Sequence, residues 1–127
     1  MAVSEALAID VFQRWIDALH DRGDGDRLRA VMIEGGRVDR YAPAPTEGLA
    51  GELEESFVGL VQVSMWLRRT PVGIVFGLVG SPTIEGTSIR AEYSIRIDDF
   101  VNGGLWIARI ASHQIEHLEH RPRALLQ

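Results

Sequence analysis

Three side chains in this sequence have the chemistry to move a proton: Asp39, Tyr41 and His113. Asp39 and Tyr41 are two residues apart, so in an extended segment they project from the same side. The phenol can donate to a ligand oxygen, and a carboxyl whose pKa is raised by burial can accept a proton. The same pair also suits a half-buried strand aromatic beside a solvated charge. His113 carries the imidazole that most often serves as acid or base near neutral pH. If Leu105 to about Leu118 is one regular strand, Arg109 shares the face of His113, and Trp106, Ser112 and Gln114 take the other. A bulge would exchange those faces partway along. A histidine at a rim or subunit surface is the alternative reading of His113.

His113-Gln114-Ile115-Glu116-His117 spells H-x-x-E-H, the inverted zinc-protease motif. That motif needs a helix, where positions i and i+4 converge on one metal. In a strand the two imidazoles would stand about 13 Å apart. No metal is expected here unless the stretch is helical, although His120 adds a third imidazole nearby. No organic cofactor is implied either. Trp66 and Trp106 can line a ligand pocket or fill a core, whereas Trp15 suits a core.

These residues sit in a chain of 127 residues and 14.1 kDa, the size of one domain spanning 1–127. Its 46% apolar and 24% charged content fits a globular chain with a core. The net charge of −5 gives no general attraction for nucleic acid or an anionic membrane. The absence of cysteine excludes disulfides, thiolate metal sites and a Cys nucleophile. No apolar run reaches the roughly 20 residues of a membrane span, and no secretory leader is visible. The expectation is a soluble, cytoplasmic protein.

The elements that must position the candidates follow from periodicity. Residues 4–20 read as an amphipathic helix capped by Ser4, with Leu7, Ala8, Val11, Phe12, Trp15, Ile16 and Leu19 on its apolar face. Asp24 or Asp26 caps a short second helix that carries Leu28, Val31 and Met32 and ends at Gly35-Gly36. Val38 to Ala42 reads as a strand stopped by Pro43 and Pro45. A third helix is expected from about Leu49 to Leu60, with Leu53, Phe57 and Leu60 on one side.

Strands are then expected at Val63–Arg69, at Val72–Gly80 (buried on both faces), at Thr87–Phe100 and at Leu105–Leu118. Turns fall at Thr83–Gly86 and Asn102-Gly103-Gly104. The tail from His120 is expected to be loose. Along Thr87–Phe100, Ile89, Ala91, Tyr93, Ile95 and Ile97 alternate with Arg90, Glu92, Ser94, Arg96 and Asp98. The polar set suits cross-strand ion pairing at a sheet–sheet interface or a hydrated pocket wall.

This order resembles the nuclear transport factor two-like superfamily, and within it the SnoaL-like group. The resemblance rests on Phe12-Gln13-Arg14-Trp15-Ile16-Asp17-Ala18-Leu19, the Gly23-Asp24 step and the Pro-containing loop with Gly48. It rests also on Gly103-Gly104-Leu105-Trp106-Ile107-Ala108. It implies an α+β cone of three N-terminal helices on a curved antiparallel sheet, with an inner cavity and a homodimer packed through the sheets. Chemistry must still be argued from the site.

Limonene epoxide hydrolases of that superfamily carry an Arg-x-Asp pair and a further Asp where this chain has Phe76-Gly77-Leu78-Val79 and Ile110. Ketosteroid isomerases carry an Asp base where it has Tyr41-Ala42-Pro43. Neither set is present, although Asp39 and Tyr41 fall near the positions that hold the hydrolases' catalytic water. Two functions are therefore open. One is a pocket for a small apolar molecule with proton-transfer chemistry of isomerase, dehydratase or cyclase type, through Asp39, Tyr41 and His113. The other is a non-catalytic binding or dimerisation module whose cone is packed shut.

Overall fold

The computed structural model describes residues 3–23, 26–43 and 51–123. Helix α1 covers Glu5–His20, and its N-cap Ser4 accepts the Leu7 N–H at 3.1 Å. Ala8, Val11, Phe12, Trp15, Ile16, Ala18 and Leu19 are buried along one side, as the periodicity predicts. Helix α2 is a single turn, Arg27–Val31, entered at Asp26. Asp24, the loop of Pro45 to Gly48 and residues 124–127 lie outside the described residues.

Strand β1 runs over Met32–Tyr41, so Met32 and Gly35-Gly36 belong to a strand and not to the end of the second helix. The expected third helix is also displaced. Leu53–Val58 forms β2, paired antiparallel with β1, and helix α3 follows at Leu60–Leu67. The Leu53/Phe57 spacing of four suits a helix turn, but a bulge between Leu53 and Glu55 pairs Phe57 with Val38 and Leu53 with Tyr41, on opposite faces of the sheet. Gly59, at φ +88°, separates the two elements. The strand expected at Val63–Arg69 is thus largely helix α3, buried at Val63 and Leu67, a helical i, i+4 pair.

Strands β3 (Val75–Glu85), β4 (Ser88–Ile97), β5 (Phe100–Ala111) and β6 (Gln114–Pro122) complete one sheet of order β2-β1-β6-β5-β4-β3. β1 and β6 pair in parallel and every other neighbouring pair is antiparallel. The sheet is therefore mixed, not wholly antiparallel as expected, and helices α1 and α2 alone precede it. β3 is an edge strand whose Val75 and Val79 are about half exposed, not a strand buried on both faces. Its edge position accommodates Pro82.

The hairpin turns fall where Asp98 has φ 51°, and where Ser112 and His113 have φ 50° and 67°. The second is a two-residue turn with both central residues at positive φ, a geometry that matches strand twist. Asn102-Gly103-Gly104, read as a turn, lies inside β5. A Cβ at Gly104 would come within 2.7 Å of the Tyr93 hydroxyl, and one at Gly103 would strike the Tyr93 carbonyl. Both glycines serve close approach between strands. His120 to Pro122 is ordered strand, not loose tail.

The helix-covered face of the sheet holds Val38, Ile89, Ala91, Tyr93, Trp106, Ala108, Ile115 and Leu118, which pack with α1 and α3 into one core. Trp106 stacks on Phe12 and on Tyr93, and meets Trp15 edge-on.

Candidate functional site

Alternation along β1 sends Asp39 and Tyr41 together to the face away from the core, with Val38 and Arg40 on the inner face. Their shared side matches the spacing argument, but the helix-covered core lies on the opposite side of the sheet. Asp39, 4% exposed, is the one buried charged residue among those described. It accepts from Ser56 Oγ at 2.7 Å, Arg37 Nε at 2.8 Å and His117 Nε2 at 2.8 Å. Burial alone would raise its carboxyl pKa, but bonds from Ser56, Arg37 and His117 and the charge of His117 outweigh it, holding it below the ordinary value.

Tyr41 donates to Glu119 Oε1 at 3.1 Å and lies beneath the Arg121 guanidinium, 3.8 Å from its ring centroid. Its phenol pKa is pushed up by burial and by Glu119, partly offset by Arg121. An open hollow of about 530 Å3 borders Asp39, lined also by Ile33, Gly35, Arg37, Arg109, Glu116 and His117. Its charged groups are bonded to one another: Arg37 to Asp39, Arg109 to Glu116 and His117 to Asp39.

His113 joins neither residue. It stands exposed in the β5–β6 turn, its carbonyl accepting from Arg14 Nη2 at 3.0 Å. The turn divides the strand expected from Leu105 to Leu118, and the two imidazoles of the H-x-x-E-H stretch and the nearby His120 part company. His113 occupies the turn, His117 the outer face with Asp39, and His120 the inner face. Among the described residues no three His, Asp or Glu side chains gather as a metal site.

The inner face holds the more enclosed hollow, of about 320 Å3. Trp66, Phe76, Ile74, Ile95 and Leu19 provide its apolar wall, and Tyr93, His120, Arg40, Arg69 and Asn102 its polar groups. Trp66 lies on the wall of this hollow. Trp106 lies fully buried behind it, stacked on the lining residue Tyr93 and hydrogen-bonded to His120.

That bond sets the chemistry. Trp106 Nε1–H donates to His120 Nδ1 at 3.0 Å, and an indole can only donate. Nδ1 is therefore the acceptor, and a neutral His120 carries its proton on Nε2. Nε2 lies 3.4 Å from the Tyr93 hydroxyl oxygen, so the imidazole donates and the phenolic hydrogen is left for another acceptor. Burial, aided by the Arg40 cation, pushes the His120 pKa down to about 4, so the ring is neutral at pH 7. Burial raises the Tyr93 pKa well above its usual value, keeping it an O–H donor.

Arg40 sits beside His120 across the β1–β6 pairing. Its guanidinium is held by Glu55 at 2.7 Å and Glu54 at 3.1 Å, and Glu55 also holds Arg69 at 3.1 Å. Bonds from Arg69 and Arg40 lower the Glu55 pKa.

Sequence reasoning passed over Tyr93, His120 and Arg40. The available signal was a polar atom on an otherwise apolar face. Tyr93 alternates with Ile89, Ala91 and Ile95, His120 follows Leu118 by two, and Arg40 follows Val38 by two.

A curved sheet with helices closed over an aromatic-walled hollow defines an NTF2-like α+β fold. Solved structures match it at low identity. An NTF2-like protein of unknown function from Mesorhizobium loti shares 18% identity, covering 94% of this chain and 93% of its own, with a TM-score of 0.67. A protein inferred to be a SnoaL-like polyketide cyclase from Jannaschia sp. CCS1 shares 12%, covering 92% and 85%, with a TM-score of 0.71. An LEH-like epoxide hydrolase from M. tuberculosis shares 14%, covering 92% and 83%, with a TM-score of 0.59. No protein-family model and no curated protein sequence matches the chain. These likenesses establish the fold, and function rests on the site.

Proposed function

We propose that the inner hollow binds a small, mostly apolar molecule carrying a carbonyl oxygen, and that the protein promotes proton transfer next to that carbonyl. The observation that carries this reading is the directed chain Trp106–His120–Tyr93, which leaves the Tyr93 hydroxyl hydrogen for an acceptor in the hollow. A donor fixed before the ligand arrives stabilises the negative charge that grows on oxygen as an adjacent C–H or C–O bond breaks. Trp66, Phe76 and Ile95 enclose the apolar body. Such a donor suits isomerisation, dehydration or cyclisation. Asp39, Tyr41 and His113 take no part in the chemistry here. The outer sheet face, with Arg90, Glu92, Ser94 and Arg96, packs against a second copy in a homodimer.

A second reading is favoured by one observation. No carboxylate lines the inner hollow among the described residues, so the proton must leave to water or to the ligand itself. A protein of this design could bind its ligand without turning it over.

The test of binding compares 2-acetylnaphthalene with 2-isopropenylnaphthalene, which lacks the oxygen, in titrations of the wild type and of Tyr93→Phe. The ketone is expected to bind the wild type about tenfold more tightly than the alkene, and Tyr93→Phe to erase that preference. Equal binding of the two probes by the wild type would remove the carbonyl reading.

A further inference from the structure

We infer that the ligand of the inner hollow also carries a carboxylate, held at the mouth by Arg40 and Arg69. This rests on the reading of Tyr93 as the donor to a carbonyl. The hollow's lining holds two arginines and no acid among the described residues, and His120 is neutral at pH 7. The charges of Arg40 and Arg69 are balanced by Glu54 and Glu55, which bond them without lining the hollow, so a ligand in the hollow meets guanidinium donors and no carboxylate among the described residues. A lining whose charged groups are guanidinium donors only, with their carboxylate partners outside it, suits an acceptor such as an anion at that point.

Glu54 and Glu55 do not line the hollow. They grip the arginines from behind: Glu55 bonds Arg40 Nε at 2.8 Å and Arg69 Nη1 at 3.1 Å, and Glu54 bonds Arg40 Nη2 at 3.1 Å. Arg40 Nη1, Arg69 Nε and Arg69 Nη2 have no such bond among the described residues. A guanidinium oriented by one carboxylate with donors to spare is arranged to receive a second, and its planar fork matches that group. Arg40 is 24% exposed at its side chain and Arg69 57%, which puts Arg40 deeper and Arg69 at the rim.

The aromatic wall and the volume of about 320 Å3 suit a body of about two fused rings. The ligand class is therefore a small aromatic or alicyclic keto acid, with the ketone at Tyr93 and the carboxylate at the arginines.

The experiment titrates 6-acetyl-2-naphthoic acid and 2-acetylnaphthalene into wild type, Arg69→Gln and Tyr93→Phe at low salt, and into wild type at about 0.5 M NaCl. The acid is expected to bind the wild type about threefold to tenfold more tightly than the neutral ketone. That advantage should vanish in Arg69→Gln and fall in high salt, where exposed charge is screened. Tyr93→Phe should weaken both probes while leaving the advantage of the acid intact. Equal or weaker binding of the acid by the wild type overturns the carboxylate assignment and leaves the Tyr93 reading standing. Binding of neither probe overturns both, whereas binding of both that Tyr93→Phe leaves untouched overturns the Tyr93 reading and leaves the carboxylate to be decided by Arg69→Gln and salt. Arg69 is largely exposed, so its replacement leaves the core intact, and the salt arm requires no variant at all.

Discussion

Trp106 donates its indole N–H to His120 Nδ1 at 3.0 Å, and this one contact fixes which nitrogen of the imidazole holds the proton. Everything assigned to Tyr93 follows from it, because the neighbouring Nε2–H then leaves the phenol free to donate outward.

The same contact makes the protein acid-sensitive. His120 has a folded pKa of about 4 against an ordinary 6.5, so the unfolded chain takes up the proton first as pH falls. Its contribution to stability is complete above about pH 6.5 and is lost progressively toward pH 4, by about 3 kcal/mol in all. Urea midpoints at pH 7, 5.5 and 4 should show this decline in the wild type and a flatter profile in His120→Gln.

Two buried tryptophans differ in what their N–H groups meet. Trp15 Nε1 has no hydrogen-bond partner among the described residues, whereas Trp106 Nε1 has His120. Both Trp→Phe replacements remove similar ring volume. Trp106→Phe should cost about 1 kcal/mol more in denaturant unfolding than Trp15→Phe, since it alone strands a polar partner. It should also shift the His120 ring resonances, and Trp15→Phe should not.

Asp39 ties three strands together through Arg37, Ser56 and His117. Asp39→Ala leaves those donors without their acceptor and should cost about 2–3 kcal/mol in unfolding free energy. Because the folded pKa lies below 3.8, the wild-type advantage is full above that pH and disappears as pH falls further. That window lies below the one set by His120. Affinity of the folded variant for an inner-face ligand should match the wild type, since Asp39 faces the other side.

Gly104→Ala should test the close approach in β5. The added methyl meets the Tyr93 hydroxyl at 2.7 Å and Pro122 Cα at 2.8 Å. A destabilisation of about 1–3 kcal/mol is expected by thermal or urea unfolding, together with loss of the preference for a ketone over an alkene.

The first helix, its buried side and the alternation over Ser88–Ile97 were legible because long periodic runs leave one solution, although the strand expected to reach Phe100 turns at Asp98. β2 and α3 were not, because Leu53, Phe57 and Leu60 fit a helical period while a bulge interrupts the alternation of β2, and the short run Val63–Leu67 alternates as well as it spirals. The turn at Ser112-His113 lacks the Asn-Gly signature that such a backbone usually carries, while Gly103-Gly104 has turn composition without a turn. Each of these choices is made by partners distant in sequence.

The site suffered from the same cause. Asp39 and Tyr41 share a side as their spacing predicts, yet only the pairing of β1 with β6 and β2 decides which side faces the helices. The inner polar set of Arg40, Tyr93 and His120 comes from three strands and has no local motif.

Catalysis itself can be read by following deuterium uptake. 2-Acetylnaphthalene is dissolved in D2O at pH 7 with and without protein, and the loss of its methyl proton signal is followed by NMR. With Tyr93 stabilising the enolate oxygen, the wild type should speed exchange at least about tenfold over buffer, and Tyr93→Phe should return the rate to near the buffer value. Exchange no faster than buffer in the wild type, in a sample shown to bind the ketone, would contradict proton transfer and leave a binding protein. Exchange equally fast in Tyr93→Phe would move the chemistry away from the Trp106–His120–Tyr93 chain.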